Sequence, residues 1–268
     1  MQVRHLRTRI RSVIDALKHV VKAIPVLGPW AVRWAAVRRR RRWEAEFPGS
    51  ADYWEQRYAE GGDSGHGSYG RFAAFKAGVL NRFVAEERIE SVVEFGCGDG
   101  NQLALASYPD YLGLDVSESA LDACRRRFAG DRSRRFQLYR PSPSADGTPR
   151  RSADLALSLD VIYHLTEDPV FESYMHDLFD AARRFVIIYS SDTTVTDPSE
   201  PAQVRHRNFT RWVAERRPEW RLLRRIPNRF AVARGGEPRS FADFFIYSPA
   251  DETAAGSGSG GPGGAPPR

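Results

Sequence analysis

The stretch VVEFGCGDGN, residues 92–101, runs from an apolar, β-prone segment into three glycines that alternate with other residues. Glycine has no Cβ, so it permits both a sharp backbone turn and the close approach of a ligand. In a doubly wound sheet, ligands bind beyond the carboxyl ends of the strands, where a strand turns into the next helix. The stretch therefore predicts a first strand followed by a ligand site at Gly96, Gly98 and Gly100.

Segments with strand character follow at regular intervals. Residues 91–95, 111–116, 135–139, 154–160, 184–190, 220–226 and 240–248 are predicted as strands, and amphipathic helical stretches are expected between the first five. Short apolar runs that alternate with helices are typical of a parallel sheet covered on both faces. Gly235 and Gly236 permit a turn between the last two strands. The pattern predicts an α/β domain with a doubly wound sheet that finishes with an antiparallel pair.

The residues around the glycines indicate what the site binds. A dinucleotide-binding turn reads G-x-G-x-x-G and holds a pyrophosphate at a helix N-terminus, whereas this chain has Glu94 before the glycines and Asp99 among them. Two carboxylates would repel a pyrophosphate, and Glu94 could favour a positively charged ligand. Asp115 ends the second strand, where an acidic side chain can accept hydrogen bonds from both ribose hydroxyls. The implied ligand is a nucleoside with a cationic substituent.

These residues make the sequence resemble the class I S-adenosylmethionine-dependent methyltransferases. EFGCGDG is similar to their first motif, and residues 91–248 are similar to their Rossmann-like seven-stranded sheet with a reversed last strand. The resemblance implies S-adenosyl-L-methionine as the cofactor. Glu94, Gly96 and Gly98 would line its methionyl part, with Asp99 nearby in the same turn, and Asp115 would bind the ribose.

Three further segments resemble a narrower group. Residues 52–81, 158–165 and 204–213 are similar to a bacterial subgroup of methyltransferases, some of which are associated with surface-glycan loci. Members of the wider family often have an acidic or amide residue after the third strand that contacts the adenine amino group. This chain has no acidic residue there before Asp146, so the resemblance assigns no adenine contact.

Residues 61–76, GGDSGHGSYGRFAAFK, precede the first strand and are rich in glycine. They are predicted to form a mobile flap that ends in a helix. The resemblance implies that Tyr69, Arg71 or Lys76 contacts the carboxylate of the cofactor. A solvated loop followed by an ordinary helix face is the alternative interpretation.

Two histidines are candidates for catalysis. Methyl transfer to a hydroxyl oxygen requires removal of its proton, and histidine is the usual base near neutral pH. His164 follows the fourth strand beside Asp160, and we predict that both belong to the catalytic site. His206 follows the fifth strand between Arg205 and Arg207, and these arginines suggest an anionic acceptor. A structural role is the alternative for each histidine.

No metal site is predicted. Asp160, His164 and Asp168 have the spacing i, i+4, i+8, which could mimic a metal-binding helix face, but Pro169 interrupts the segment. The two cysteines of the chain lack metal-type spacing and cannot form a disulfide framework, which suits a reducing cytoplasm.

The two ends of the chain differ from its body. Residues 1–43 contain 12 Lys and Arg against one acid, whereas the chain as a whole has a net charge of +6. Apolar residues recur at helical spacing from Val3 to Ile24, so residues 1–47 are predicted to form a basic amphipathic helical arm. Residues 48–250 would form the methyltransferase domain, and the Gly/Ser/Pro-rich residues 251–268 a disordered tail.

The arm leaves several functions open. Its apolar stripe could pack on the body, or residues 1–43 could bind an anionic membrane surface. The sequence has no apolar run of about 20 residues, as a membrane-spanning helix needs, so we expect a cytoplasmic protein, at most peripheral at the inner face of the membrane. We therefore expect a methyltransferase acting on a hydroxyl of a small-molecule or glycan acceptor.

Two alternatives come from other classes. An RNA methyltransferase would use the arm to contact nucleic acid, but the net acidic body has no recognisable RNA-binding module. A non-catalytic protein that keeps the fold as a scaffold is disfavoured by Gly96, Gly98 and Asp115.

Overall fold

The structure is a computed structural model. It describes Trp34, Val37, Arg38 and residues 47–140, 153–195, 200, 201, 203–231 and 240–250. Within these ranges the helices are α1 (Ser50–Ala59), α2 (Gly70–Glu86), α3 (Glu118–Arg127), α4 (Asp168–Asp180) and α5 (Phe209–Arg216). The strands are β1 (Ser91–Phe95), β2 (Asp110–Asp115), β3 (Arg134–Leu138), β4 (Ala153–Leu159), β5 (Ala182–Ser190), β6 (Trp220–Ile226) and β7 (Asp243–Pro249).

The strands form one seven-stranded sheet in the order β3-β2-β1-β4-β5-β7-β6. β1 pairs in parallel with β2 and with β4. The glycine turn that follows β1 therefore lies near the middle of the carboxyl edge of the sheet. β7 runs antiparallel to its neighbours β5 and β6. The predicted α/β architecture with a reversed last strand is confirmed.

The prediction of a helix between β1 and β2 is wrong. This connection contains only a 3₁₀ turn, Leu103–Leu105. Gly96, Gly98 and Gly100 have φ values of 83°, 57° and 72°, which a right-handed helix cannot include, and Pro109 follows soon after. Residues 101–108, between the last glycine and Pro109, form this turn and no α-helix. The link between β3 and β4, residues 141–152, lies outside the described residues, as does Asp146.

Apolar side chains cover both faces of the sheet. All seven residues of β4 are buried, which explains the continuous apolar runs in the sequence, because a parallel strand covered by helices has no solvated face. One face packs against α4 and α5, through residues such as Phe95, Tyr174, Met175, Phe209 and Phe245. The opposite face packs against α2 and α3, through residues such as Leu80, Phe83, Tyr111, Leu121 and Ile187.

Most of the predicted arm and tail lies outside the described residues. Of the arm, Trp34, Val37 and Arg38 are described, all in helical conformation, and the guanidinium of Arg38 lies 5.3 Å from the centroid of the Trp34 ring. The predicted domain boundaries at 47 and 250 stay predictions. In the part of the chain that the structure describes, no helix is both long enough and apolar enough to span a membrane.

Candidate active site

A cavity of about 420 Å³ lies at the carboxyl ends of β1, β2 and β4. Seven of the predicted site residues line it, namely Lys76, Glu94, Gly96, Gly98, Asp115, Asp160 and His164. The other four, Tyr69, Arg71, Asp99 and His206, are not among its lining residues. Helix α1 supplies a wall that the sequence analysis did not assign, with Trp54 and Tyr58 facing the cavity.

Neighbouring residues restrict the glycine turn to residues without a Cβ. The Gly96 N–H donates to the carbonyl oxygen of Leu114 at 2.7 Å, which joins the turn to β2. A Cβ on Gly96 would lie 2.4 Å from Val161 Cγ2, and a Cβ on Gly98 would lie 2.3 Å from Ser64 Oγ. Only glycine fits at these two positions.

Asp115 is buried at the end of β2 beside the glycine turn. Its Oδ2 accepts a hydrogen bond from the Gly98 N–H at 2.8 Å, and its Oδ1 accepts one from the Ser117 N–H at 3.0 Å. Burial raises the pKa of Asp115 to about 6. A carboxylate has about four lone-pair sites, so Asp115 can accept further hydrogen bonds beside these two, as ribose hydroxyls would require.

Glu94 provides a second buried carboxyl group in the wall of the cavity. Its Oε2 accepts a hydrogen bond of 2.6 Å from the Tyr111 hydroxyl. Burial raises the pKa of Glu94 to about 7, so near neutral pH the protonated and ionised forms are both populated. A cationic ligand nearby would favour the ionised form.

Gln102 is a lining residue that the sequence analysis missed. Its Nε2 donates to the Ala73 carbonyl oxygen at 3.2 Å. Its Oε1 is buried and has no hydrogen-bond donor among the described residues. An acceptor without a donor is uncommon in a protein interior and would suit an ammonium group of a ligand. The only signal in the sequence is an amide residue shortly after the glycine turn.

Lys76 and Asp160 form an ion pair in the wall of the cavity. The Lys76 Nζ donates to Asp160 Oδ2 at 2.7 Å, and the Tyr163 hydroxyl donates to Asp160 Oδ1 at 2.8 Å. Lys76 is fully buried, and Asp160 has a φ of 62°, which is uncommon for a residue other than glycine. Lys76 was expected to contact the cofactor carboxylate, and in this structure its ammonium group instead contacts Asp160.

His164 lies at the cavity between two aromatic rings. Its ring centroid is 5.0 Å from that of Trp54 and 4.6 Å from that of Tyr163. Its Nδ1 is 3.1 Å from the carbonyl oxygen of Gln203. Because a carbonyl only accepts hydrogen bonds, Nδ1 carries the proton, and Nε2 of the neutral ring keeps a free lone pair. Burial lowers the pKa of His164 to about 4, so the ring is neutral near pH 7.

His206 does not join His164 at the cavity. Its buried ring has Nδ1 2.6 Å from the hydroxyl of Ser191 and Nε2 3.1 Å from the carboxylate of Glu200. The catalytic role predicted for His206 stays a prediction. In the structure its two ring nitrogens hold the segment after β5 together. Through that segment it supports the Gln203 carbonyl that meets His164.

The arginines beside His206 also have partners within the protein. Arg205 Nη1 donates to the Thr166 carbonyl oxygen at 2.6 Å, and Arg207 Nη1 donates to Asp168 Oδ1 at 2.6 Å. These contacts fasten the segment to the loop that carries His164. Asp168 is therefore engaged with arginine, and no group of His, Cys, Asp and Glu suited to a metal ion is found in the described ranges.

The predicted flap contacts the glycine turn through Asp99. The Tyr69 hydroxyl and the Ser64 N–H donate to Asp99 Oδ2 at 2.7 Å and 3.0 Å. Although burial acts to raise it, hydrogen bonds from Tyr69, Asn101 and Ser64 hold the pKa of Asp99 below its usual value. Tyr69 and Asp99, both predicted to bind the cofactor, thus bind each other. Arg71 lies over the rings of Phe72 and Phe230, at 5.1 Å and 4.8 Å.

The residues of the cavity fit S-adenosylmethionine. The turn at Gly96 and Gly98 leaves space that a Cβ would fill, Asp115 keeps free lone pairs, and Gln102 has an acceptor without a donor. Glu94 offers a negative charge to a sulfonium. These are the features that a nucleoside with a positively charged methionyl group requires.

Comparison with known proteins identifies a domain within the chain. Residues 93–186 match the family model described as a methyltransferase domain. The carbon methyltransferase CurJ has a TM-score of 0.50 at 14% identity, over 66% of this chain and 54% of that one. The methyltransferase domain of bacterial CtHen1-C has a TM-score of 0.49 at 20% identity, over 65% of this chain and 96% of that one.

Magnesium protoporphyrin IX methyltransferase (ChlM) from Synechocystis PCC 6803, solved with bound SAM, has a TM-score of 0.48 at 16% identity, over 66% of this chain and 79% of that one. At 14% identity, the likeness to CurJ shows a shared fold and no more. No curated protein matches the chain. The family model, the sheet order and the glycine turn together identify the chain as carrying a class I S-adenosylmethionine-dependent methyltransferase domain, with S-adenosylmethionine as its cofactor.

Proposed function

We propose that this methyltransferase transfers its methyl group to a hydroxyl oxygen of a small molecule or glycan, at or near a membrane surface. The proposal rests on His164. Its Nδ1 bonds to the Gln203 carbonyl, so the neutral ring offers the Nε2 lone pair. A neutral imidazole in the wall of the cavity is suited to accept a hydroxyl proton.

The cofactor supplies a methyl group on a positively charged sulfur. Asp115 and the glycine turn would hold the nucleoside part, while Glu94 would lie near the methionyl part. Alignment of acceptor and methyl group supplies much of the rate in such a transfer. His164 would then take the proton of the acceptor hydroxyl at Nε2, and Asp160 would help to orient the acceptor.

The rest of the lining supports a small acceptor with an apolar portion. Val161, Leu165 and Val170 contribute apolar surface to the cavity, which excludes water from the reacting groups. Arg140 also lines the cavity, so an anionic group on the acceptor would meet a guanidinium there. An anionic acceptor thus remains part of the proposal, although Arg205 and Arg207 have partners of their own.

The membrane location is supported by the sequence of the arm. Residues 1–43 carry 12 basic residues against one acid, and each basic residue near an anionic bilayer is worth about 1 kcal/mol. The apolar residues between Val3 and Ile24 would lie in the interface. Full-length protein should sediment with phosphatidylglycerol vesicles at low salt, and replacement of Arg38–Arg42 by glutamine should weaken this binding. Equal sedimentation of the two proteins would contradict the proposal.

The acceptor can be identified with cofactor labelled in its methyl group. Cell extract is separated into small molecules, lipid-linked glycans and RNA, and each fraction is incubated with wild-type protein or with His164→Ala. We expect label in the first or second fraction, stable to mild alkali as a methyl ether is. Label in RNA, or label released by alkali as from a methyl ester, would contradict O-methylation of a hydroxyl acceptor.

A further inference from the structure

A second groove lies between α2 and the edge of the sheet, away from the active site. Its volume is about 310 Å³. The floor is apolar and consists of side chains from α2, β6 and β7, namely Phe75, Val79, Phe83, Ile226 and Ile246. Helix α2 separates this groove from the active site, since Lys76 on the same helix lines the other cavity.

Three arginines and one acidic residue, Glu86, surround this apolar floor, so its rim is net positive. Arg82, Arg224 and Arg229 line the groove, and all three are exposed. Within the described ranges none of them forms an ion pair, in contrast to Arg225, which pairs with Asp243 at 2.6 Å. The guanidinium of Arg229 is held in place by the rings of Phe75 and Phe230, at 5.3 Å and 4.9 Å.

Gly78 opens the groove at the middle of α2. Glycine inside a helix destabilises it relative to alanine, and the fold gives no reason for it at this position. A Cβ on Gly78 would have no heavy atom within 4 Å, and Gly78 is not among the glycines with positive φ. The space that this glycine leaves belongs to the groove, which indicates that the space itself is used.

The charge of the groove restricts its occupant. A second copy of the chain that bound through the same groove would bring like-charged arginines together. The arm of the same chain carries 12 basic residues and would be repelled. The complementary ligand joins an anionic group to an apolar chain, because arginine binds phosphate through two parallel hydrogen bonds while the floor needs apolar surface.

We propose that this groove binds an anionic phospholipid, with its phosphate at Arg82, Arg224 and Arg229 and its acyl chain along the floor beside Gly78. Leu222 and Leu223 of β6 are 47% and 48% exposed, so the same edge of the sheet presents further apolar surface to a bilayer. The site is independent of methyl transfer and of the arm.

Short-chain lipids that stay monomeric test the site in the full-length protein. Calorimetry is performed with dihexanoyl phosphatidic acid, with dihexanoyl phosphatidylcholine and with inorganic phosphate. The anionic lipid should bind saturably with one molecule per chain, and the zwitterionic lipid and free phosphate at least tenfold more weakly. Equal binding of both lipids, or no saturable binding of phosphatidic acid, would overturn the proposal.

Variants locate the binding. Gly78→Leu should fill the groove and weaken phosphatidic acid binding at least tenfold without lowering the melting temperature, since its Cβ meets no other atom. Arg224→Glu combined with Arg229→Glu should have a similar effect. Arg211→Glu is the control, because Arg211 is exposed but pairs with Glu215 in α5. Wild-type affinity in the Gly78→Leu variant would overturn the proposal.

Replacement of Arg38–Arg42 by glutamine separates the groove from the arm. This variant should bind monomeric phosphatidic acid as the wild type does, even where its sedimentation with vesicles is weakened. Loss of lipid binding in this variant would assign the anionic lipid to the arm and overturn the proposal for the groove. An acidic peptide that displaces phosphatidic acid with higher affinity would assign the groove to a protein partner instead.

Discussion

Lys76 on α2 and Asp160 after β4 lie 84 residues apart in the chain, and a hydrogen bond of 2.7 Å joins them in an ion pair at the wall of the active site. The side chain of Lys76 is fully buried, and that of Asp160 is 14% exposed. The pair ties the helix after the flap to the strand that precedes His164. It therefore connects the cofactor side of the cavity to the catalytic side.

We expect Lys76→Met to destabilise the protein by about 3 kcal/mol, because it leaves the Asp160 carboxylate without its cation. Urea unfolding measures the effect. The double variant with Asp160→Asn should recover part of the loss, since no unpaired charge remains. Additive losses in the double variant would show that the two residues contribute independently.

The glycine turn and Asp115 give the second prediction. Gly98→Val would place a Cβ 2.3 Å from Ser64 Oγ on a backbone with a φ of 57°, so we expect loss of measurable cofactor binding. Asp115→Ala should weaken S-adenosylmethionine binding by about 1.5 to 3 kcal/mol, as for hydrogen bonds to a charged group. Calorimetry tests both, with Asp122→Ala on the exposed face of α3 as the control. Unchanged affinity in Asp115→Ala would remove Asp115 from the site.

The sequence predicted these local features because each depends on a short stretch of chain. A strand that ends in alternating glycines must turn sharply, and an acid at the end of the next strand must lie beside that turn. The ion pair of Lys76 with Asp160 and the contacts of His206 with Ser191 and Glu200 depend on how distant segments pack. The spacing of residues along the chain therefore does not predict these contacts.

Contacts between distant segments also explain why the partners of His206 and the position of helix α1 were not predicted. His206 and the arginines beside it follow a strand at the catalytic edge, so their position suggested acceptor binding. The structure shows partners for them in the 163–168 loop and at Glu200. Helix α1, whose Trp54 faces the cavity, lies largely within the 52–81 segment that resembles the bacterial subgroup. That resemblance assigned no role to Trp54, so it did not mark the helix as a wall of the site.

The raised pKa of Glu94 gives a third prediction. A cationic sulfonium favours the ionised carboxylate, so S-adenosylmethionine binding should strengthen by up to about tenfold between pH 6 and pH 8, as a group with a pKa of about 7 loses its proton. S-adenosylhomocysteine lacks the positive charge and should show a weaker dependence. Calorimetry at both pH values measures the difference, and Glu94→Gln should abolish it. Parallel pH profiles for the two ligands would contradict a role for Glu94 beside the sulfonium.

Glu94 should also affect stability without ligand. Its folded pKa of about 7 exceeds the unfolded value of 4.5, so between these values the folded protein binds more protons than the unfolded chain. The free energy of unfolding should therefore fall as pH rises from 4.5 to 7. Glu94→Gln should flatten this slope in urea unfolding. A slope that is unchanged in the variant would assign the pH dependence to other groups, such as Asp115.

The thiol of Cys97 gives a fourth prediction, because it lines the active-site cavity. The Cys124 thiol lies behind it and contacts the Gly98 carbonyl oxygen at 3.1 Å. Hydrogen bonding with Cys124 and burial raise the pKa of the Cys97 thiol, so alkylation is best followed above pH 8. S-adenosylhomocysteine at ten times its Kd should slow labelling of Cys97 about tenfold. Peptide mass spectrometry identifies the labelled cysteine. Equal labelling rates with and without ligand would show that the bound cofactor does not protect Cys97.

The last prediction concerns His164, whose lowered pKa changes the expected pH profile. An unperturbed imidazole would impose an acid limb near pH 6.5, but with a pKa of about 4 the ring stays neutral well below neutral pH. The rate at saturating acceptor and saturating cofactor should therefore persist as pH falls from 7 to 5. NMR of the imidazole nitrogens should show one protonated nitrogen, Nδ1, throughout that range.

With the acceptor identified by labelling, His164→Ala should lower turnover by about 100-fold or more while S-adenosylmethionine affinity stays near the wild-type value. Full turnover in His164→Ala would mean that Trp54, Tyr163 and Gln203 hold a structural histidine, and that alignment alone drives the reaction.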